Sequence, residues 1–229
     1  EILQMKRPYL LLCICSGICL ALHFATWIAS LSMTTVAAST VLVSCSPMIV
    51  AGAECLIEQK RPGHALLIGL TLALCGTLLI AADSSGSVSL NGNLLALAGG
   101  FFVAFYLLLG VRVQHEHSLW AYVFLVYLTS TVTLGILACV TQTPFTGYPA
   151  SDYLLFAAMA FFCSILGHTV YNWLLSFHGA TLISISTLCE PVFASLLAFF
   201  ILQETPPLPT LFGGVLIIAG VAFYIMKKP

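Results

Sequence analysis

Eight runs of roughly twenty apolar residues, parted by short polar breaks, leave this chain very few folds to adopt. They fall at about residues 8–31, 35–57, 63–82, 92–112, 119–140, 151–177, 181–202 and 208–226. A helix of about 20 apolar residues crosses the hydrocarbon core of a bilayer. Backbone N–H and C=O groups in lipid must pair within their own segment, so such runs are helical. The pattern therefore predicts an all-α integral membrane protein with eight transmembrane helices. Composition agrees: 60% of the residues are apolar and 7% are charged. A chain folding in water carries about 25% charged residues, and fifteen fixed charges could not clothe a water-facing surface of this size.

The breaks carry turn and helix-stop chemistry. They read "EQKRPG" at 58–63, "DSSGSVSLNG" at 83–92, "TQTPFTGYPAS" at 141–151 and "TPPLP" at 205–209. The connections "SMTTV" and "FHGAT" are the least marked. With eight spans both termini lie on one side. That side receives Lys6, Arg7, Lys60, Arg61, Arg112, Lys227 and Lys228, which are all seven basic residues of the chain. The other side receives Asp83, Asp152 and Glu204 and no base. Lys and Arg beside short loops mark the cytoplasmic face, so both termini are expected to be cytoplasmic.

A net charge of −1 gives no footprint for nucleic acid. The nine cysteines lie inside apolar runs with no CxxC pair and no Cys/His spacing suited to zinc. They read as small apolar filler. No glycine-rich segment joins a strand to a helix, so no phosphate loop and no cofactor motif is expected.

Shifted by 144 positions, the sequence partly matches itself. Leu31 and Ser32 fall on Leu175 and Ser176, Pro47 on Pro191, Gln59 on Gln203, Pro62 on Pro206, Gly69 on Gly213 and Gly76 on Gly220. Spans one to three thus recur as spans six to eight. A displacement of five spans is odd, so the second copy is inserted upside down, which is the inverted repeat of many secondary transporters. The expected halves are 1–82, with three spans, and 92–229, with five. Spans four and five would then have counterparts ahead of span one, so two further N-terminal helices are expected.

The stretch "LGHTVYNWLLSFHGATLISISTLCEPVFASLLAFFILQETPPLPTLFGGVLIIAGVAFYI" resembles the last three helices of EamA-type proteins of the drug/metabolite transporter superfamily. "LHFATWIASLSMTTVAASTVLVSCSPMIV" resembles the third and fourth helices of the same family. The resemblance implies ten helices in two inverted five-helix halves. It also implies export or exchange of small metabolites, among them amino acids and drugs, across a bacterial inner membrane through a central cavity. Eight spans here depart from that ten.

Polar groups inside spans are costly and are functional candidates by default. His168 lies eleven residues before Gly179 and Glu190 eleven after it. At 1.5 Å per residue both lie roughly 16 Å from the cytoplasmic surface, near the midplane. Asn172 is one helical turn from His168 on the same face, so the three could converge on one cavity. Two readings stand for Glu190: a titratable coupling or cation-recognising carboxylate with its pKa raised by burial, or a neutral interhelical contact. Pro191 either frees the carbonyl near Thr187 as a ligand or hinge, or merely kinks the span. His168 and Asn172 could likewise be helix-to-helix contacts.

The repeat places a second cluster at matching depth from the outer side: His23, with Trp27 one turn on, and Ser46–Pro47 in the place of Glu190–Pro191. The carboxylate half is thus the expected coupling half, with protons as the candidate ion. Trp27 stacks on a substrate ring or simply packs. Trp173 is a candidate cavity wall, and Tyr106 either lines the cavity or anchors a span end. Ala96, Gly100 and Ala104, and the glycines at 69, 76, 213, 214 and 220, read as close helix packing.

These features favour a transporter over two rivals. An intramembrane enzyme needs a nucleophile and base or two carboxylates at one depth. Glu190 is the one acid well inside a span, Glu54 lying nearer a span end, and Ser164 near His168 lacks activating context. A non-transporting scaffold or assembly subunit is the other alternative.

Overall fold

The computed structural model describes residues 2–59, 61–81, 89–203 and 205–227. Lys60, Asp83, Glu204 and Lys228 of the charge argument lie outside the described residues. The helices are α1 (Arg7–Leu31), α2 (Val36–Val43), α3 (Ser46–Glu58), α4 (His64–Ala81), α5 (Leu90–Gln114), α6 (Leu119–Val140), α7 (Ala150–Met159), α8 (Thr169–Leu175), α9 (Ala180–Thr187), α10 (Glu190–Leu197) and α11 (Leu208–Lys227). Wider π-helical turns join α7 to α8 over Ala160–His168 and extend α10 over Ala198–Leu202. Among the described residues, eight helical segments are long and apolar enough to cross a membrane, with bounds within three residues of the sequence reading. The protein is an all-α, multi-pass membrane bundle. Side chains such as Leu56, Trp120, Val140 and Leu154 are strongly exposed on it, as lipid-facing residues are.

Two compact units make up the chain: Glu1–Leu22 with Phe105–Gly179, and His23–Ala104 with Ala180–Pro229. Helices α1 and α5 contribute to both.

In the second unit α4 and α11 pack most intimately. Small residues let the two backbones meet. A Cβ on Gly69 would stand 2.7 Å from the Gly220 carbonyl oxygen, and one on Gly213 would stand 2.6 Å from that of Gly76. The 144-residue shift carries each of these contacts onto the other. Around them Ala51, Leu66, Leu70, Ala73, Ile185, Leu188, Ile217, Val221 and Tyr224 form one apolar cluster. Gly100 approaches the backbone of Leu42 and Val43 in the same manner, with Ala96 and Ala104 fully buried beside it.

The second and seventh spans are not kinked but broken. The second divides into α2 and α3 at Ser44–Cys45, and the seventh into α9 and α10 at Leu188–Cys189. These breaks are also 144 residues apart. Pro47 and Pro191 are each the second residue of the following half-helix, where a missing N–H forfeits no helical bond. Both broken spans close on a left-handed glutamine, Gln59 at φ 53° and Gln203 at φ 58°. The repeat is thus carried into backbone geometry.

In the first unit α6 packs on α8. Ser16 Oγ lies 2.6 Å from the Tyr122 hydroxyl, and both residues are fully buried. Tyr127 donates its hydroxyl to the Ser164 carbonyl at 2.9 Å and lies 3.1 Å from Thr169 Oγ1. That phenol supplies a partner to a carbonyl within the π-helical turn, where the regular ladder is disturbed.

Candidate functional site

The first unit gathers two of the residues singled out from sequence, His168 and Asn172, around a third, Tyr106. Its hydroxyl donates to Asn172 Oδ1 at 2.8 Å, and its ring meets that of His168 edge-on at 5.8 Å. His168 also meets Tyr171 edge-on. The shared face of His168 and Asn172 expected from their spacing is therefore the face turned to Tyr106. Tyr106 and Asn172 are both wholly buried. Tyr106 is thus a core residue of this unit and not a span-end anchor. Asn172 Nδ2 makes no hydrogen bond of regular geometry among the described residues, although the Tyr127 hydroxyl stands near this amide. Trp173, half exposed, turns the other way and packs edge-on against Phe177.

The second unit holds the other group. His23 lies 2.9 Å from the Gly99 carbonyl oxygen through Nδ1. A carbonyl only accepts, so Nδ1 carries the proton and Nε2 is left as the variable nitrogen. The ring stacks on Trp27 at 5.6 Å between centroids and 19° between planes. Gly99 permits this approach, since a Cβ there would stand 3.1 Å from Trp27 Cβ. The Trp27 indole N–H has no acceptor among the described residues. Below it Ser30 bridges to Ser39 at 2.6 Å, and Thr34 donates to Asn93 at 2.9 Å.

The two breaks belong to this unit too. Ser46 and Pro47 are buried at the start of α3. Glu190 opens α10, with its carboxylate at the positive end of that half-helix dipole. It is exposed, so the burial expected from its central place in an apolar run is not found. Sequence reasoning passed over two polar pairs. Thr181 Oγ1 donates to Glu54 Oε2, and Tyr127 engages the π-helical turn. Glu54 was visible as a carboxylate near a span end; nothing in the local sequence named its partner. Among the described residues no group of three or more His, Cys, Asp or Glu side chains could hold a metal.

An all-α bundle with mirrored broken spans defines the class: a multi-pass membrane transporter scaffold. The EamA-like transporter family model matches residues 90–226, and the chain belongs to that family. It is 26% identical over 214 residues to an uncharacterized transporter of Archaeoglobus fulgidus, across 90% of this chain and 73% of that protein. With YdfC, an uncharacterized transporter of Bacillus subtilis, identity is 24% over 82% of this chain and 62% of the relative. With YicL, an uncharacterized inner membrane transporter of Salmonella typhimurium, it is 26% over 96% and 74%. The chain thus spans about three-fifths to three-quarters of these relatives. Among solved structures that share the fold is a crystal structure with a TM-score of 0.71 and 16% identity, covering 97% of this chain and 88% of that one.

Proposed function

We propose that this protein is a secondary transporter of the bacterial inner membrane, with both termini cytoplasmic. It exports or exchanges a small organic metabolite, an amino acid or a drug-like compound, by alternating access, and it is not an enzyme. One observation carries the reading: two spans related by an inverted repeat are broken at equivalent points, Ser44–Cys45 and Leu188–Cys189. Discontinuous helices near the midplane are how transporters of this kind present backbone groups to a substrate. The repeats are 1–82 and 92–229, the second overlapping the segment matched by the family model.

Two sets of residues serve recognition. In one unit, Asn172, whose amide nitrogen makes no hydrogen bond of regular geometry, stands beside Tyr106 and His168. In the other, the Trp27 indole N–H and the stacked His23 offer a donor and a flat face. Glu190, alone among the described acids in opening a half-helix, is the coupling group, and protons are the coupling ion. The test is flux in proteoliposomes across a panel of labelled metabolites at two pH values, with Glu190→Gln alongside. A substrate at 100 times its Kd also raises stability by about 2.7 kcal/mol, so melting shifts screen the panel first. Proton-driven flux in the wild type that is lost in the variant supports the reading. A panel that gives neither shift nor flux counts against it. The positive-inside assignment is checked separately by protease access to a C-terminal tag in right-side-out vesicles.

A further inference from the structure

Under the 144-residue repeat α3 corresponds to α10, and α9 to α2. The packing of α3 on α9 should therefore recur as packing of α10 on α2. It does not. Helices α3 and α9 pack on each other, while among the described residues α10 packs on α11 and makes no comparable contact with α2. Burial follows the same division. Ala180, Thr181, Ile183, Ser184 and Ile185 of α9 are buried, whereas α10 has no buried residue and Phe193 and Leu197 stand exposed. All four half-helices lie in one compact unit. Among the described residues the broken spans pack upon each other at the α3–α9 end, with no comparable packing at the other.

A polar contact sits at the closed end. Glu54, one turn before the end of α3, accepts a hydrogen bond from Thr181, in the first turn of α9. One turn farther along each helix, Ala51 and Ile185 join the apolar cluster. Carried through the repeat, Glu54 falls on Ala198 and Thr181 on Ala37. An alanine side chain offers no such bond, so the repeat-related pair of positions supplies no equivalent.

We infer that Glu54 and Thr181 form a one-sided latch between α3 and α9 that biases the transporter towards the conformation closed at that end. The inference rests on the transporter reading above. An inverted repeat lets its two halves exchange conformations, and each exchange swaps which pair of half-helices is packed. A hydrogen bond to a carboxylate made in one state alone shifts that equilibrium by its own strength.

The chain carries its own reporters, since Cys45 and Cys189 occupy equivalent places at the two breaks and are partly buried. The experiment labels them in sealed vesicles with a membrane-impermeant maleimide applied from either face, and reads modification of each by mass spectrometry. Glu54→Ala and Thr181→Val are compared with wild type, together with the transplanted latch, Ala37→Thr with Ala198→Glu. Loss of the latch raises labelling from the Glu54 face, relative to the other, by about tenfold, and the transplanted latch moves the ratio the same way. Thr181→Val keeps shape and charge and decides the matter should Glu54→Ala fail to fold. An unchanged ratio in Thr181→Val and in the transplant overturns the latch. A shifted ratio without flux of any metabolite keeps the latch and removes the transporter reading; flux with an unchanged ratio does the reverse.

Discussion

Gly76 and Gly213 meet backbone to backbone across α4 and α11, and the repeat carries this contact onto Gly69 and Gly220. A side chain at Gly213 would overlap the Gly76 carbonyl, which cannot swing away as a flexible side-chain tip could. In lipid, where burial of apolar surface gives no drive for helices to associate, such close packing is the main attraction.

Gly213→Ala is therefore expected to destabilise the protein by roughly 1–3 kcal/mol, the usual cost of overpacking. Gly135 lies inside α6, and a methyl group added there would meet nothing within 4 Å. Its replacement by Ala should leave stability unchanged or raise it, by at most about 1 kcal/mol through helix propensity. Thermal unfolding in detergent, read for both variants side by side, checks the contrast. Equal behaviour of the two would remove the packing argument.

Tyr106→Phe should cost about 1–3 kcal/mol, because it strands the Asn172 carbonyl in a fully buried place. The same loss occurs in Asn172→Ala, so the two are expected to be non-additive. A double-mutant cycle in chemical denaturation gives the coupling directly. Additive effects would mean that the bond does not matter to stability.

His23 engages Gly99 through Nδ1. Asparagine places its amide near Nδ1, whereas glutamine places its amide near Nε2. His23→Asn should keep more of the wild-type melting temperature than His23→Gln. The reverse order would reassign the working nitrogen to Nε2.

Pro191→Ala restores a backbone N–H one turn beyond the Thr187 carbonyl, and Pro47→Ala does the same for Val43. Both are expected to preserve or raise stability while slowing flux, since a span that heals into a continuous helix loses its exposed backbone groups. Flux and melting measured on the same preparations separate the two effects. Unchanged flux in both variants would show that the breaks are not part of the transport cycle.

Much of the architecture was legible because it is local. Apolar run length set the spans, within three residues at each end. The paired prolines and glycines at a constant offset announced the repeat, and the structure returns that offset in the breaks, the left-handed glutamines and the glycine contacts. The site was legible only in part. His168 and Asn172 share a face because helical periodicity requires it, but that this face meets Tyr106, 66 residues from Asn172 in sequence, depends on how α5 and α8 are turned towards each other. The π-helical turn at Ala160–His168 had no signature, since its winding is set by side chains from elsewhere such as Tyr127.

The sequence by itself determined that the chain is a helical membrane bundle and where its spans begin and end to within three residues, and its paired prolines marked the two spans that the structure breaks. These follow from desolvation of the backbone and from proline's missing donor, and each acts within a few neighbouring residues. The tertiary structure alone decided which polar groups meet: Tyr106 with Asn172, His23 with the Gly99 carbonyl, Thr181 with Glu54. It also decided that α3 packs on α9 while, among the described residues, α10 makes no comparable contact with α2. The repeat by itself relates the two arrangements; the packing of distant half-helices is what holds the first of them among the described residues.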